Sequence, residues 1–516
     1  MTSEAAFPNY SLEFEVTNYT TGAYMESMDL TGLWHFQPDL TGEGEDAGYG
    51  DKDFNADLWR GVQLPVDFET CHPSLEAYEG GAWFRRTVCL PETWRGSRVI
   101  LHFEGVYARM KVWVNGHYAG EGSIPYLPLD FEIQDFIEPG DGTMLAVWVD
   151  NTRLPGEVPG MQRGWRTFGG ILREISLVAT DSLFLEQITT TAEPSDAGGM
   201  LSVRTVIRNQ HRTTKTALIS LALYDTSGEL CAQVNLEVAD IASGTSQRIA
   251  TEIVAAGALL WSPKTPNLYT LDIVLQAGEF ILEKRSLRVG FRRIEVRQDR
   301  LFLNGAPIIL TGFNRHEDSI TRNMCVDLES ARLDFKEMKD AGANFVRLCH
   351  YPHHPGEVDL CDALGLLVMD EIPLYWWDGL AEGEEACARK LQAAKNQLAS
   401  LIRRDRNHSS VIFWSVSNET DEDRPEVAAG NAALVRLAKE LDPSRLAVHV
   451  SNHWQQEAHF DDDDVVCVNG YPSWWEHIIQ HNSGFTAADG AQSWRNALEK
   501  LHARYPDKPI LVAEFG

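Results

Sequence analysis

Long hydrophobic runs are missing from this chain: no window reaches about 18 consecutive apolar residues, so no segment reads as a membrane-spanning helix. Residues 1–30 carry acidic side chains and no apolar stretch behind a basic start, which is not the pattern of a secretory signal. Basic charge is also scarce, with 45 Lys and Arg against 75 Asp and Glu and a net charge of −30. A surface of that sign repels nucleic acid and anionic membrane, and it opposes an acidic ligand unless local cations line the pocket. The cysteines, at 71, 89, 231, 325, 349, 361, 387 and 467, form no C-x-x-C pair and no small-scaffold spacing. They read as reduced thiols of a cytoplasmic protein. No H-E-x-x-H occurs: His353 and His354 follow Pro352 without zinc spacing, and no cofactor or metal is called for. Low-complexity tracts are absent too, and 44% hydrophobic with 23% charged residues is ordinary globular composition.

At 516 residues the chain exceeds one hydrophobic core, and roughly 100–200 residues per domain predicts about three domains. Residues 1–182 hold short strands between turn signals, among them VILHFE at 99–104 and MLAVWVD at 144–150, which predict a jelly-roll-like β-sandwich. The pattern repeats over 183–296 with LSVRTVIRN, ALISLALYD and LYTLDIVLQ, at the length of one immunoglobulin-like sandwich. Trp261-Ser262-Pro263 reads as a turn there.

From 297 to 516 the text changes to apolar strand, polar loop, amphipathic helix and strand. Near-continuous apolar runs at 307–314, 343–351, 366–373, 411–419, 446–452, 464–471 and 509–516 predict a parallel sheet with both faces covered. Between the first two lies a helix capped by Asp327, with Leu328, Ala331, Phe335 and Met338 on one face and Gly342 as its stop. Each run ends in polar groups: Asn314 and His316; Arg347 and His350; Asp370 and Glu371; Asn418 and Glu419; Asn469 and Tyr471; Glu514. Functional ends on every strand suit a (β/α)8 barrel better than a doubly wound sheet, which gathers function at one crevice. The text stops two residues past Glu514, so a barrel lacking its last strand is expected, with the strands ending at Asn314 and Glu514 as unpaired edges.

Glu419 and Glu514 each close an apolar strand, and a barrel brings both to one rim. Alone, each reads equally as a solvent-facing carboxylate. Together they fit cleavage of a glycosidic bond, which needs one carboxyl to protonate the leaving oxygen and a second as nucleophile or base. WSVSNE offers Trp414 and Asn418 as cover for a protonated Glu419, and Arg347 with Tyr471 would keep Glu514 ionised. The run Asp461–Asp464 reads as a solvated loop. Trp376, Trp377, Trp474 and Trp475 follow barrel strands, where they either stack on a sugar face or pack in the core.

TGFNRHED at 311–318, VRLCHYPH at 346–353, DEIP at 370–373, NHSSVIFWSVSNET at 407–420 and VAEFG at 512–516 resemble successive strand ends of glycoside hydrolase family 2. FRRTVCLP, VWVNG and FGGILREI are similar to that family's first sandwich domain. The resemblance implies a retaining exo-β-glycosidase acting on a carbohydrate, with Glu419 as acid/base and Glu514 as nucleophile. It further implies Asn418 on the sugar 2-hydroxyl, Arg347 and Tyr471 beside the nucleophile, and His316 and His350 lining the glycone pocket. Asn469-x-Tyr471 is similar to the β-glucuronidase type within the family; a β-galactosidase and a non-catalytic carbohydrate-binding fragment are the alternatives. The family's Asn-x-Lys signature for the glucuronate carboxylate falls beyond the nucleophile motif with which this text ends. Homo-oligomerisation is compatible with the sequence.

Overall fold

The structure, a computed structural model, describes residues 25–325, 327–377, 383–453, 459–472 and 486–515. In the first unit a six-stranded antiparallel sheet, with Gly81–Cys89 and Gly142–Asp150 at its centre, faces a four-stranded one containing Arg98–Phe103 and Ile175–Thr180. Trp34, Phe84, Leu101 and Val147 fill the space between them. In the second unit a three-stranded sheet faces a four-stranded one. Its strand Lys215–Tyr224 buries every other residue, which is the two-residue period of a sheet with one face in the core.

Beyond these lie seven parallel strands paired in chain order. They are β1 (Gly312–Arg315), β2 (Phe345–Leu348), β3 (Leu367–Glu371), β4 (Val411–Asn418), β5 (Leu446–Ser451), β6 (Val466–Gly470) and β7 (Ile510–Phe515). Helices α1 (Leu328–Asp340), α2 (Pro355–Leu364), α3 (Glu384–Asp405), α4 (Pro425–Leu441) and α5 (Ala487–Arg504) pack outside them. All eight residues of β4 are buried, as a strand covered on both faces requires. Asp327 caps α1 by accepting from the Glu329 amide, and Gly342 follows the helix at φ +93°, a conformation that favours glycine.

The barrel is nearly closed, and no backbone ladder joins β1 to β7 among the described residues. The edges predicted at Asn314 and Glu514 are there, with one side-chain bridge across them: Asn314 Nδ2 donates to the Ala513 carbonyl at 2.9 Å. The apolar run at 307–314 does not form one strand. Ala306–Ile308 pairs antiparallel with Arg300–Leu303, and β1 begins only at Gly312. Asn344 causes the break, because its amide takes the Ile309 carbonyl at 2.8 Å and the Thr311 N–H at 2.9 Å out of any ladder.

Both sandwiches are fastened to the barrel by buried arginines. Arg173, from the first, donates to Glu317 at 2.8 Å and to the Pro352 carbonyl at 2.6 Å. Arg292, from the second, donates to the carbonyls of Ser409 at 3.0 Å and Val411 at 2.8 Å. Among the described residues, no helix is long and apolar enough to cross a membrane.

Candidate active site

Parallel strands present all their carboxyl ends on one rim, and there the predicted residues meet. Arg347, on β2, is fully buried. It donates Nη1 to Glu514 Oε1 at 2.5 Å, Nη2 to Asn418 Oδ1 at 2.7 Å, and Nε and Nη2 to the Glu371 carboxylate at 2.8–3.0 Å. One guanidinium thus ties β2, β3, β4 and β7 together. The Tyr471 hydroxyl donates to Glu514 Oε2, and His350 Nε2 lies 3.9 Å from Oε1. Burial alone would raise the pKa of Glu514, but the charge of Arg347, His350 and the Tyr471 hydrogen bond hold it below the usual carboxylate value. Burial, reinforced by the charge of Glu514, raises Tyr471, so the phenol remains a donor.

Glu371 was visible in the sequence as a strand end without a role, and it is the anchor under Arg347. It accepts from Ser415 Oγ at 2.6 Å and from His350 Nδ1 at 2.9 Å. Although burial opposes ionisation, Arg347, His350 and Ser415 hold its pKa down to about 2. His350 therefore spends its Nδ1 proton on Glu371 and turns Nε2 toward Glu514. His316 packs edge-on against His350 at 5.2 Å. Burial, with His350 and His353 nearby, pushes it down to about 4, so it is neutral at pH 7.

Glu419 follows β4 in the left-handed region, at φ +50°, held there by its amide bond to the Val450 carbonyl at 2.8 Å. A non-glycine residue in that region carries backbone strain that the surrounding structure must hold. Its carboxylate accepts from Asn469 Nδ2 at 2.9 Å and from Trp376 Nε1 at 3.0 Å. The cover expected from Trp414 is not there. Trp414 is fully buried with Val416 against the helix layer and donates to Asp442 at 3.1 Å, because that position points outward from β4. Trp376 supplies the indole instead, while its neighbour Trp377 is core. Trp474 and Trp475 lie outside the described residues. Asn418 Nδ2 and Asn469 Oδ1 are buried and have no hydrogen-bond partner among the described residues, one donor and one acceptor beside the two carboxylates.

The first sandwich reaches this rim. Trp165 packs on Tyr375 at 5.1 Å, on Tyr351 at 5.3 Å and on His350 at 5.6 Å. The contact with His350, worth about 0.5–1.5 kcal/mol beyond area burial, holds that ring on one side. Trp165→Ala is expected to lower kcat/KM about tenfold, the equivalent of about 1.4 kcal/mol, and to lower the melting temperature as its ring contacts are lost. Unchanged kinetics would remove the first sandwich from the site.

Nor is the acidic run Asp461–Asp464 merely a solvated loop. Asp463 is buried and accepts from His449 Nδ1 at 2.9 Å, and Asp464 accepts the Ala447 amide at 2.9 Å. His449 Nε2 donates to Glu422 at 2.9 Å, three residues beyond Glu419. Burial would lower the pKa of His449, but Asp463 and Glu422 outweigh it and push it up to about 10. The folded value lies above the ordinary 6.5, so this stabilisation is complete below about pH 6.5 and is lost as pH rises through about 10. In urea unfolding, the stability gap between the wild type and His449→Gln should be widest at about pH 6 and shrink steadily as pH rises toward 10. A gap independent of pH would show that the imidazolium charge is not what holds the loop.

Three family models match the chain. They are "Glycosyl hydrolases family 2, sugar binding domain" over residues 45–181, "Glycosyl hydrolases family 2" over 183–292 and "Glycosyl hydrolases family 2, TIM barrel domain" over 294–516. The β-glucuronidase of Sus scrofa is 25% identical over 532 residues, covering 95% of this chain and 78% of that enzyme. That of Homo sapiens is 26% identical over 533 residues, with the same two coverages of 95% and 78%. Bacteroides uniformis β-glucuronidase 2, solved covalently bound to cyclophellitol-6-carboxylate aziridine, superposes with a TM-score of 0.84 at 25% identity. That alignment covers 95% of this chain and 59% of the solved one, so the chain spans less than two thirds of that relative's length.

Proposed function

The chain belongs to glycoside hydrolase family 2, and from that premise we propose that it is a retaining exo-β-glycosidase that hydrolyses terminal β-glucuronides by double displacement. The observation that carries this reading is the unequal setting of the two rim carboxylates. Glu514 is held ionised by Arg347, His350 and Tyr471, as a nucleophile must be. Among the described residues, Glu419 meets only neutral donors, an indole and a side-chain amide, as suits a group that cycles between acid and base.

In the first step Glu514 attacks the anomeric carbon while Glu419 protonates the leaving oxygen, giving a glycosyl ester and a free aglycone. In the second, Glu419 takes a proton from water, which attacks the same carbon and releases Glu514. As the ester forms, Glu514 loses its negative charge and Glu419, having given up its proton, gains one, while Glu371 and Asn418 keep the other donors of Arg347 engaged. The open valences of Asn418 Nδ2 and Asn469 Oδ1 match sugar hydroxyls.

The glycone is read from the curated relatives, which are β-glucuronidases, and from the carboxylate-bearing inhibitor on the Bacteroides uniformis enzyme. Kinetics on aryl β-glucuronide and β-galactoside with one aglycone test it. A site that pairs the glycone carboxylate should prefer the glucuronide roughly 10⁴-fold in kcat/KM. Equal rates, or preference for the galactoside, would overturn the glucuronide assignment and leave the double displacement standing.

A further inference from the structure

A cluster of arginines lies away from the catalytic rim. In a chain of net charge −30, one cavity of about 580 Å³ is walled by Arg204, Arg248, Arg406 and Arg445, with the hydroxyls of Thr191 and Ser444 beside them. It opens between the second sandwich and the barrel. Arg406 caps the end of α3 and Arg445 immediately precedes β5. Both sit at the amino ends of the strands, so the cavity is at the opposite end of the barrel from Glu419 and Glu514.

The sandwich side is built by sheet register. Arg204 lies opposite Ala250, and Arg248 lies opposite Val206 on the adjoining strands Gly198–Asn209 and Ser246–Ala256. Positions two apart share a face, so both arginines project from the same side of the sheet. On the barrel side, Arg445 is spoken for: it donates to Asp442 at 2.7 Å and to the Val411 carbonyl at 2.9 Å. The other carboxylate in the wall, Glu193, is taken by Arg293 at 3.0 Å. Among the described residues, the guanidinium groups of Arg204, Arg248 and Arg406 have no acceptor, and Arg406 Nε is buried without a partner.

We propose that this interdomain cavity is a binding site for a sulfate or phosphate group carried on a small molecule of about monosaccharide size. Three open guanidinium forks converging from two domains match the tetrahedral oxygens of such a group, which Arg binds in a bidentate manner. The hydroxyl of Thr191 supplies a neutral donor, whereas that of Ser444 is committed to Asp442 at 2.6 Å. The volume lies within the range of small-molecule pockets and exceeds what a bare oxyanion fills. Arg406 feels its neighbours: burial first, then the charges of Arg403, Arg445 and Arg204, lower its pKa against the pull of Asp442. An anion relieves that repulsion and links the second sandwich to the barrel. This site is independent of the glycosidase reading.

The test is thermal melting and calorimetric titration of the full chain with glucose 6-phosphate and with inorganic phosphate. Glucose, and sodium chloride at matched ionic strength, serve as controls. Glucose 6-phosphate should raise the melting temperature saturably by about 2 °C, inorganic phosphate less, and the controls not at all. R204Q/R248Q, at exposed positions that leave folding and basal glycosidase activity unchanged, should lose the response, and R406Q should lose it likewise. A rise that does not saturate, that chloride reproduces, or that persists in R204Q/R248Q would overturn the proposal, as would no rise in the wild type.

Discussion

Glu514→Gln should form no glycosyl-enzyme and lose roughly 10⁴–10⁶-fold in kcat/KM, the scale on which removing a covalent nucleophile acts. The amide cannot attack the anomeric carbon, and it leaves Arg347 facing a neutral group where its Nη1 had an anion at 2.5 Å. The loss should be the same for activated and unactivated aglycones, because no leaving group restores a missing nucleophile. Stability should fall little, since Arg347 keeps the buried Glu371 as its counter-ion. Steady-state kinetics on the two aglycone types, with a thermal melt, checks both halves. A Glu514→Gln enzyme within tenfold of wild type would contradict the role.

Glu419→Gln should behave differently. A glycoside with a poor leaving group should slow roughly 10²–10⁴-fold, the usual worth of a positioned general acid. An activated aryl glycoside should still form the intermediate, because its leaving group needs little protonation, and hydrolysis should then stall for want of a base. Azide should rescue turnover and yield the β-glycosyl azide, as a small anion attacks the intermediate without base help. An α-glycosyl azide, or rescue of Glu514→Gln instead, would exchange the two roles.

The barrel was legible because its strands are apolar runs with polar ends, a pattern that reports both the buried strand and the rim it points to. Arg347, Asn418, Glu419, Asn469, Tyr471 and Glu514 all occupy such ends, and the structure brings them within hydrogen-bonding distance of one another. His350 reaches the same cluster through Glu371, and His316 touches it only by ring packing.

What the text did not disclose depends on side-chain direction and on partners distant in sequence. Trp414 looked like cover for Glu419 by proximity, but a strand alternates its faces and this one turns the ring outward. Trp376 and Trp377 are adjacent yet end in the rim and in the core, a difference set by the φ of +46° at Trp376. The split at 307–314 depends on a side chain more than thirty residues away, Asn344. His449 gave no signal as the clamp of Glu422 and Asp463, since its two partners come from different loops. Trp165 reaches His350 and Tyr375 from the first sandwich, a pairing of residues too distant in sequence for any local pattern to signal.

The most direct measurement is covalent capture. The chain is incubated with an activated 2-deoxy-2-fluoro-β-glucuronide, whose fluorine slows release of the intermediate, and the modified peptide is sequenced by mass spectrometry. The account predicts one fluoroglucuronyl ester per chain, carried on Glu514. A label on Glu419, or turnover of the glucuronide with no label on Glu514, would contradict it.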